Sequence, residues 1–273
     1  MQAIDKFIVE IDKTFLDSHV SGDLKIYTPT EGNEATRWPR HGKVLSSIDD
    51  NVKVGDTLFF VHFSLFNTER VDGKVVVTVP TDDILGHSTD FPEVKDKALI
   101  EKATIKAYGK FTPAKITENG YRELLNKKGL VAPKNMNFEL PHVFTLLDDI
   151  EEGNKEDRVW VYTNSDIRVK YLEGIAFIEK SYITYNETQQ ESRNDYLIVE
   201  IKTVEEGEKI ILDQKVKAAR GIGVIVKPNT KFKELERNDI IKFQMSGGMT
   251  SPMNPELFTV PYRTILGKYE RNN

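Results

Sequence analysis

The stretch Thr78–Ser88, "TVPTDDILGHS", returns late in the chain as Thr259–Tyr269, "TVPYRTILGKY", and this repetition decides the fold. Both copies keep T-V-P, three variable residues, then I-L-G. An ending written twice implies a unit written twice, and internal repetition outranks local pattern as a guide to architecture. Working outward, "FIVEID" (Phe7–Asp12) matches "LIVEIK" (Leu197–Lys202), and both read as short strands of β-branched and aromatic residues. "VGDTLFF" (Val54–Phe60) lies where the late copy has "RNDIIKF" (Arg237–Phe243), with Asp56 against Asp239 and Phe60 against Phe243. Four features in one order define a first copy over 1–91 and a last copy over 191–273.

The middle, 92–190, leaves two readings open: a diverged third copy, or an insert domain with one helix. For a copy speak "DRVWVY" (Asp157–Tyr162), with the same Asp-then-apolar pattern, and "GIAFIEKSYITYN" (Gly174–Asn186), which places Ile183 where Ile84 sits. "HVFTLLDDIEEGNKED" likewise echoes "GKVLSSIDDNVKVGD". The one helical candidate in the chain is "TENGYRELLNKKGL", with Thr117 as a cap and Gly129 as a stop. Elsewhere, short apolar runs bounded by Gly, Pro, Asn and Asp predict an all-β protein of small barrels or sandwiches.

Composition narrows the function classes. Among 273 residues, 39% are hydrophobic and 30% charged, enough to build ordinary cores. The net charge of −5 argues against a nucleic-acid binder, although "TRWPRHGK" clusters Arg37, Trp38, Arg40 and Lys43 as a possible stacking platform. The chain contains no cysteine, which removes disulfide scaffolds, thiolate metal sites and thiol nucleophiles together. "MQAIDKFIVEIDKTF" lacks the sustained apolar core of a secretory signal, and no run of eighteen apolar residues offers a membrane span. The expectation is a cytoplasmic or virion protein.

Catalytic signals are weak throughout. His19, His41, His62, His87 and His142 show no metal-ligand spacing. Adjacent carboxylates at Asp49–Asp50 and Asp82–Asp83 do not present two oxygens to one substrate, and Asp82 is expected to stabilise a turn. "RGIGV" (Arg220–Val224) lacks the further glycine and the Lys-Ser/Thr of a phosphate loop, so its glycines are read as permitting a bend. "SGGMTSPMNPE" (Ser246–Glu256) reads as a hairpin tip that also offers two methionines for adaptable contacts. No catalytic residue, metal site or cofactor is expected, and the chain is read as not an enzyme.

The order of elements in the first copy resembles that of the GroES family of co-chaperonins. That family shows an opening strand, a mobile loop with a glycine and an apolar tripeptide, then R-G-x-V, V-K-V-G-D and a closing S-D-I-L-A. Here "FIVEIDK", "SGDLKIY", "RHGKVLS", "VKVGDTLFF" and "TVPTDDILG" follow in that order. The last copy carries the loop better, as "GEKIILDQKVKAARGIGVIV", while its V-K-V-G-D has become E-R-N-D. The resemblance implies tandem GroES-like small β-barrels in a ring-like homo-oligomer. It further implies that apolar loop residues dock on a chaperonin ring, with Ile210, Ile211 and Leu212 as anchors in the last copy. In the first copy the anchors would be Leu24 and Ile26, though Lys25 interrupts that trio. The competing reading of both segments is ordinary strands packing inward. Two functions follow: a co-chaperonin, or a virion structural protein such as a phage capsid or tail component whose partners are other virion proteins. Neither involves nucleic acid or membrane.

Overall fold

β-Branched and aromatic runs separated by Gly, Asn and Asp turns form strands throughout the described residues. The computed structural model describes residues 6–11, 20–21, 24–25, 41–92, 100, 102–118, 142–162, 166–169, 172, 174–211, 214–245, 249–250 and 256–269. The first third contains β1 (Phe7–Ile11), β2 (Val20–Ser21), β3 (Leu24–Lys25), β4 (His41–Ser46) and β5 (Thr57–Phe60). It continues with β6 (Thr68–Val71), β7 (Lys74–Val79), β8 (Ile84–Ser88) and β9 (Lys106–Ala107). Then come β10 (Phe111–Glu118), β11 (His142–Leu146), β12 (Arg158–Val161), β13 (Asp166–Arg168), β14 (Ile175–Glu179), β15 (Ile183–Asn186) and β16 (Glu191–Ser192). The last third holds β17 (Tyr196–Ile211), β18 (Gln214–Lys227), β19 (Ile240–Gln244), β20 (Met249–Thr250), β21 (Leu257–Pro261) and β22 (Ile265–Lys268).

By internal contacts the chain divides into two units. The first comprises Met1–Lys115 and Asp166–Glu179, the second Ile116–Ser165 and Lys180–Asn273. The division falls inside β10. In the first unit the strands pair in the order β6-β7-β1-β4-β5-β8-β9, and a further ribbon runs β13-β14-β10. In the second unit the orders are β10-β11-β12-β15-β16 and β20-β21-β17-β18-β19-β22. Every registered pairing is antiparallel. An opening strand (β1, β10 or β17) takes a closing strand (β7, β14 or β21) on one side, and the same sequence of partners recurs three times. The three final strands each leave a one-turn 3₁₀ helix: Thr81–Asp83, Lys180–Tyr182 and Tyr262–Thr264.

No sheet closes on itself among the described residues, so the sheets are open where small barrels were expected. Closure would require the two outermost strands to pair in a consistent stagger. Here β6 and β9 pair only inward, on β7 and β8.

One core, Phe7, Val9 and Ile11 of β1 with Val75, Val77 and Val79 of β7, lies under the first sheet. Its counterpart joins Leu197 and Val199 of β17 to Phe258 and Val260 of β21. Full burial of each such side chain contributes about 1.5–3 kcal/mol.

The helical candidate is corrected at its start. Thr117 is no cap but a residue of β10, its hydroxyl 2.7 Å from that of Thr145 on β11. The rest of that segment, 119–130, lies outside the described residues. No described helix is long and apolar enough to cross a membrane.

Candidate functional site

The loop candidates fall between the opening strand and the second strand of a repeat. In the last repeat this connection is a β-hairpin, with β17 and β18 paired from Ile198↔Lys227 to Ile211↔Gln214. Pairing with β21 stops at Glu200, and pairing of β18 with β19 stops at Arg220, which faces Glu205. From Glu206 to Ile211 the ladder therefore has two strands only among the described residues. Ile210 and Ile211 are the last residues of β17, opposite Lys215 and Gln214. Leu212 lies outside the described residues. In the first repeat a small hairpin occupies the same place in the order, with Leu24 opposite Ser21 and Lys25 opposite Val20. Ile26 lies outside the described residues.

The glycines of "RGIGV" are inside β18, not at a helix start, so no phosphate cradle exists there. Their role is close approach. A Cβ on Gly223 would lie 2.3 Å from Val199 Cγ1 and 2.6 Å from the Glu200 carbonyl oxygen, and one on Gly42 would lie 2.3 Å from the Glu10 carbonyl oxygen.

The aspartates matched in the sequence form one turn built three times. Asp56, Asp157 and Asp239 are buried, and each accepts the backbone N–H three residues earlier, from Lys53 (2.8 Å), Asn154 (2.9 Å) and Glu236 (2.7 Å). The residue before each adopts positive φ: Gly55 at 96°, Glu156 and Asn238 at 71°. Glycine and asparagine reach that region most readily, and Glu156 is the costly member. The carbonyls of the three aspartates accept the N–H groups of Val44, Leu146 and Ile225, which locks the turn to the second strand.

Across the sheet each aspartate meets a different partner at one equivalent position of the final strand. His87 Nδ1 stands 3.9 Å from Asp56, Asn186 Nδ2 donates to Asp157 at 2.9 Å, and Lys268 Nζ pairs with Asp239 at 2.7 Å. Burial opposes the charge of Asp157. The bonds from Asn186, the Asn154 N–H and Gln189, with the nearby Arg193, outweigh it and hold the carboxyl below its usual range. A cation, a histidine and an amide serve one position, and each holds the aspartate of its turn to the final strand, so the shared element is a clamp.

The other polar candidates resolve into turns and packing. Asp49 accepts the Asn51 N–H at 2.8 Å and the Tyr108 hydroxyl at 2.9 Å. The Asn51 N–H is the main reason its carboxyl lies below the usual range, and burial opposes that shift. The Tyr108 hydroxyl is pushed up to about 12 by burial and then by Asp49. In the Thr81–Asp83 turn the described bond belongs to Asp83, which accepts the Ser64 hydroxyl at 2.8 Å, whereas Asp82 was the expected residue. The His41 ring packs against Phe59 and Phe91. The described residues contain no cluster of three or more metal-ligating side chains. Met249 and Thr250 form β20 beside β21, and the neighbouring stretches 246–248 and 251–255 lie outside the described residues, as do Arg37, Trp38 and Arg40.

The hairpins themselves were legible only as a glycine with an apolar trio, while the aspartate clamps carried a visible signal, an acidic residue opening each third strand. Scans of the chain against protein-family models and against curated protein sequences return no match.

Proposed function

We propose that the chain is a non-enzymatic docking protein of the co-chaperonin class, which engages a chaperonin ring through the tip of the β17–β18 hairpin. Ile210, Ile211 and Leu212 would supply the apolar anchors, and Leu24 and Ile26 a second, weaker contact. The observation that carries the reading is positional. One strand order recurs three times, and Ile210 and Ile211 end the opening strand at the far end of its connection to the second strand. A two-stranded ribbon is marginal alone in water, so a partner groove can capture it at modest affinity, as reversible cycling requires. Assembly into a ring-like homo-oligomer belongs to the same proposal, as do GroES-like repeats as the fold family and a cytoplasmic location.

A second reading, a virion structural protein, draws on a specific observation. The ladder is already paired to Ile211, and a preformed arm suits permanent lattice contacts as well as transient docking.

The test mixes purified protein with a chaperonin and ATP and follows complex formation and refolding of a stringent substrate. A nucleotide-dependent complex is expected, weakened about a hundredfold by Ile211→Asp. Failure to bind, with presence of the chain in purified virions, would establish the second reading instead.

A further inference from the structure

The final strands β8, β15 and β22 hold equivalent places, but their outer edges differ. β9 covers β8, with Gly86 opposite Ala107 and His87 opposite Lys106. β16 covers β15, with Tyr185 opposite Ser192 and Asn186 opposite Glu191. Among the described residues no strand lies on the outer edge of β22. Burial follows the cover. All of β8 and β15 is buried, whereas Leu266, Gly267 and Lys268 of β22 are exposed. Leu85 is 0% exposed and its equivalent Leu266 is 49% exposed. Ile240 (43%) and Tyr269 (44%) extend this apolar edge, and the Tyr269 N–H donates to the Ile240 carbonyl at 2.9 Å.

Both covering strands come from the chain just ahead of the next opening strand. Three residues separate β9 from β10, and three separate β16 from β17. In each connection a left-handed residue makes the turn, Gly109 at φ 52° and Asn194 at φ 51°. The apolar seams follow the same rule: Leu85 packs with Ile105 and Phe111 from beyond the first repeat, and Tyr185 packs with Ile198 of β17.

We infer that the edge of β22 is the docking site for a second copy of this chain. Its segment ahead of β1 pairs there as β9 pairs on β8 and β16 on β15. Strand addition supplies main-chain hydrogen bonds, and Ile240, Leu266 and Tyr269 supply apolar contact. The contact joins unlike surfaces head to tail, so chains close into a ring or extend into a filament. It is weaker than the seams within the chain, because Lys242 of β19 stands where β5 and β12 carry Phe59 and Trp160, three residues after the clamp aspartate. Lys242 and Lys268 also guard the edge against indiscriminate strand addition. The inference holds under either functional reading.

Sedimentation velocity over a concentration series tests it, with the full chain, Lys242→Trp, Leu266→Glu, and a chain lacking residues 1–5. Assembly beyond a dimer is expected, about tenfold tighter for Lys242→Trp and lost in the other two variants. The thermal midpoints of their monomers should stay unchanged, since Leu266 is outside the core. Assembly that stops at two copies, persists without residues 1–5 or ignores Leu266→Glu would overturn the inference. So would a Lys242→Trp chain that stays monomeric throughout.

Discussion

Gly223→Val lowers the stability of the second unit by about 3 kcal/mol, the expected cost of forcing a branched side chain into filled space. The new Cβ would meet Val199 Cγ1 at 2.3 Å and the Glu200 carbonyl oxygen at 2.6 Å. Neither can retreat cheaply: Val199 is fully buried, and the carbonyl belongs to the backbone of β17, which is paired on both sides. Gly267→Ala is the control, because nothing lies within 4 Å of its added carbon and the change should stay within about 0.5 kcal/mol. Urea unfolding followed by Trp160 fluorescence in a Trp38→Phe background reports the second unit, since the chain has two tryptophans. An unmoved midpoint for Gly223→Val would show that the two strands do not approach so closely. The middle repeat carries the opposite sizes at these two register positions, Ala114 for Val9 and Val199, and Phe144 for Gly42 and Gly223.

Asp157→Ala should cost about 3 kcal/mol, for a different reason. Its carboxylate collects the Asn154 N–H at 2.9 Å, Asn186 Nδ2 at 2.9 Å and Gln189 Nε2 at 2.6 Å. Removing it leaves those donors short of an acceptor beside Asn186, which is fully buried. Since the folded-state carboxyl is held below its ordinary range, its contribution is complete above the unfolded value of about 4 and is lost as pH falls through the lower folded value. The gap in unfolding midpoint between wild type and Asp157→Ala should therefore be constant near neutrality and narrow below about pH 4. A gap that widened on acidification would contradict the assigned role.

How far the fold could be read in advance depended on which physical demand each residue met. "TVP…ILG" was legible because a proline-led 3₁₀ turn constrains the residue types in both copies, and in the first copy Ile84 and Leu85 are also buried. The aspartate turns were half legible. The carboxylate is required in all three, but positive φ is satisfied by Gly55, Asn238 and even Glu156, so the V-K-V-G-D signature fades while the geometry persists. The clamp partners were invisible, because His87, Asn186 and Lys268 share no residue type, only a position. The ribbon stayed open between a mobile loop and ordinary strands for the opposite reason. Glu205, Glu206, Glu208 and Lys209 show no strand-like apolar alternation, and the pairing rests on main-chain bonds to β18. Barrel closure failed as an expectation because a repeat signal identifies strands without saying which edges remain unpaired.

The covering strands bear on how the molecule can be cut. β9 lies beyond the end of the first sequence repeat yet belongs to its sheet, and Ile100 and Ile105 shield Leu85 from the same stretch. A fragment ending at residue 91 would thus leave with a bare strand and an uncovered leucine, while one ending after Phe111 would keep the covering strand but lose Val169, Leu172 and Phe177 from the same core. The period at which the sequence recurs and the boundaries of the compact unit, which takes in Asp166–Glu179 as well, are out of phase, so gene fragments cut at the sequence period would expose apolar surface and aggregate.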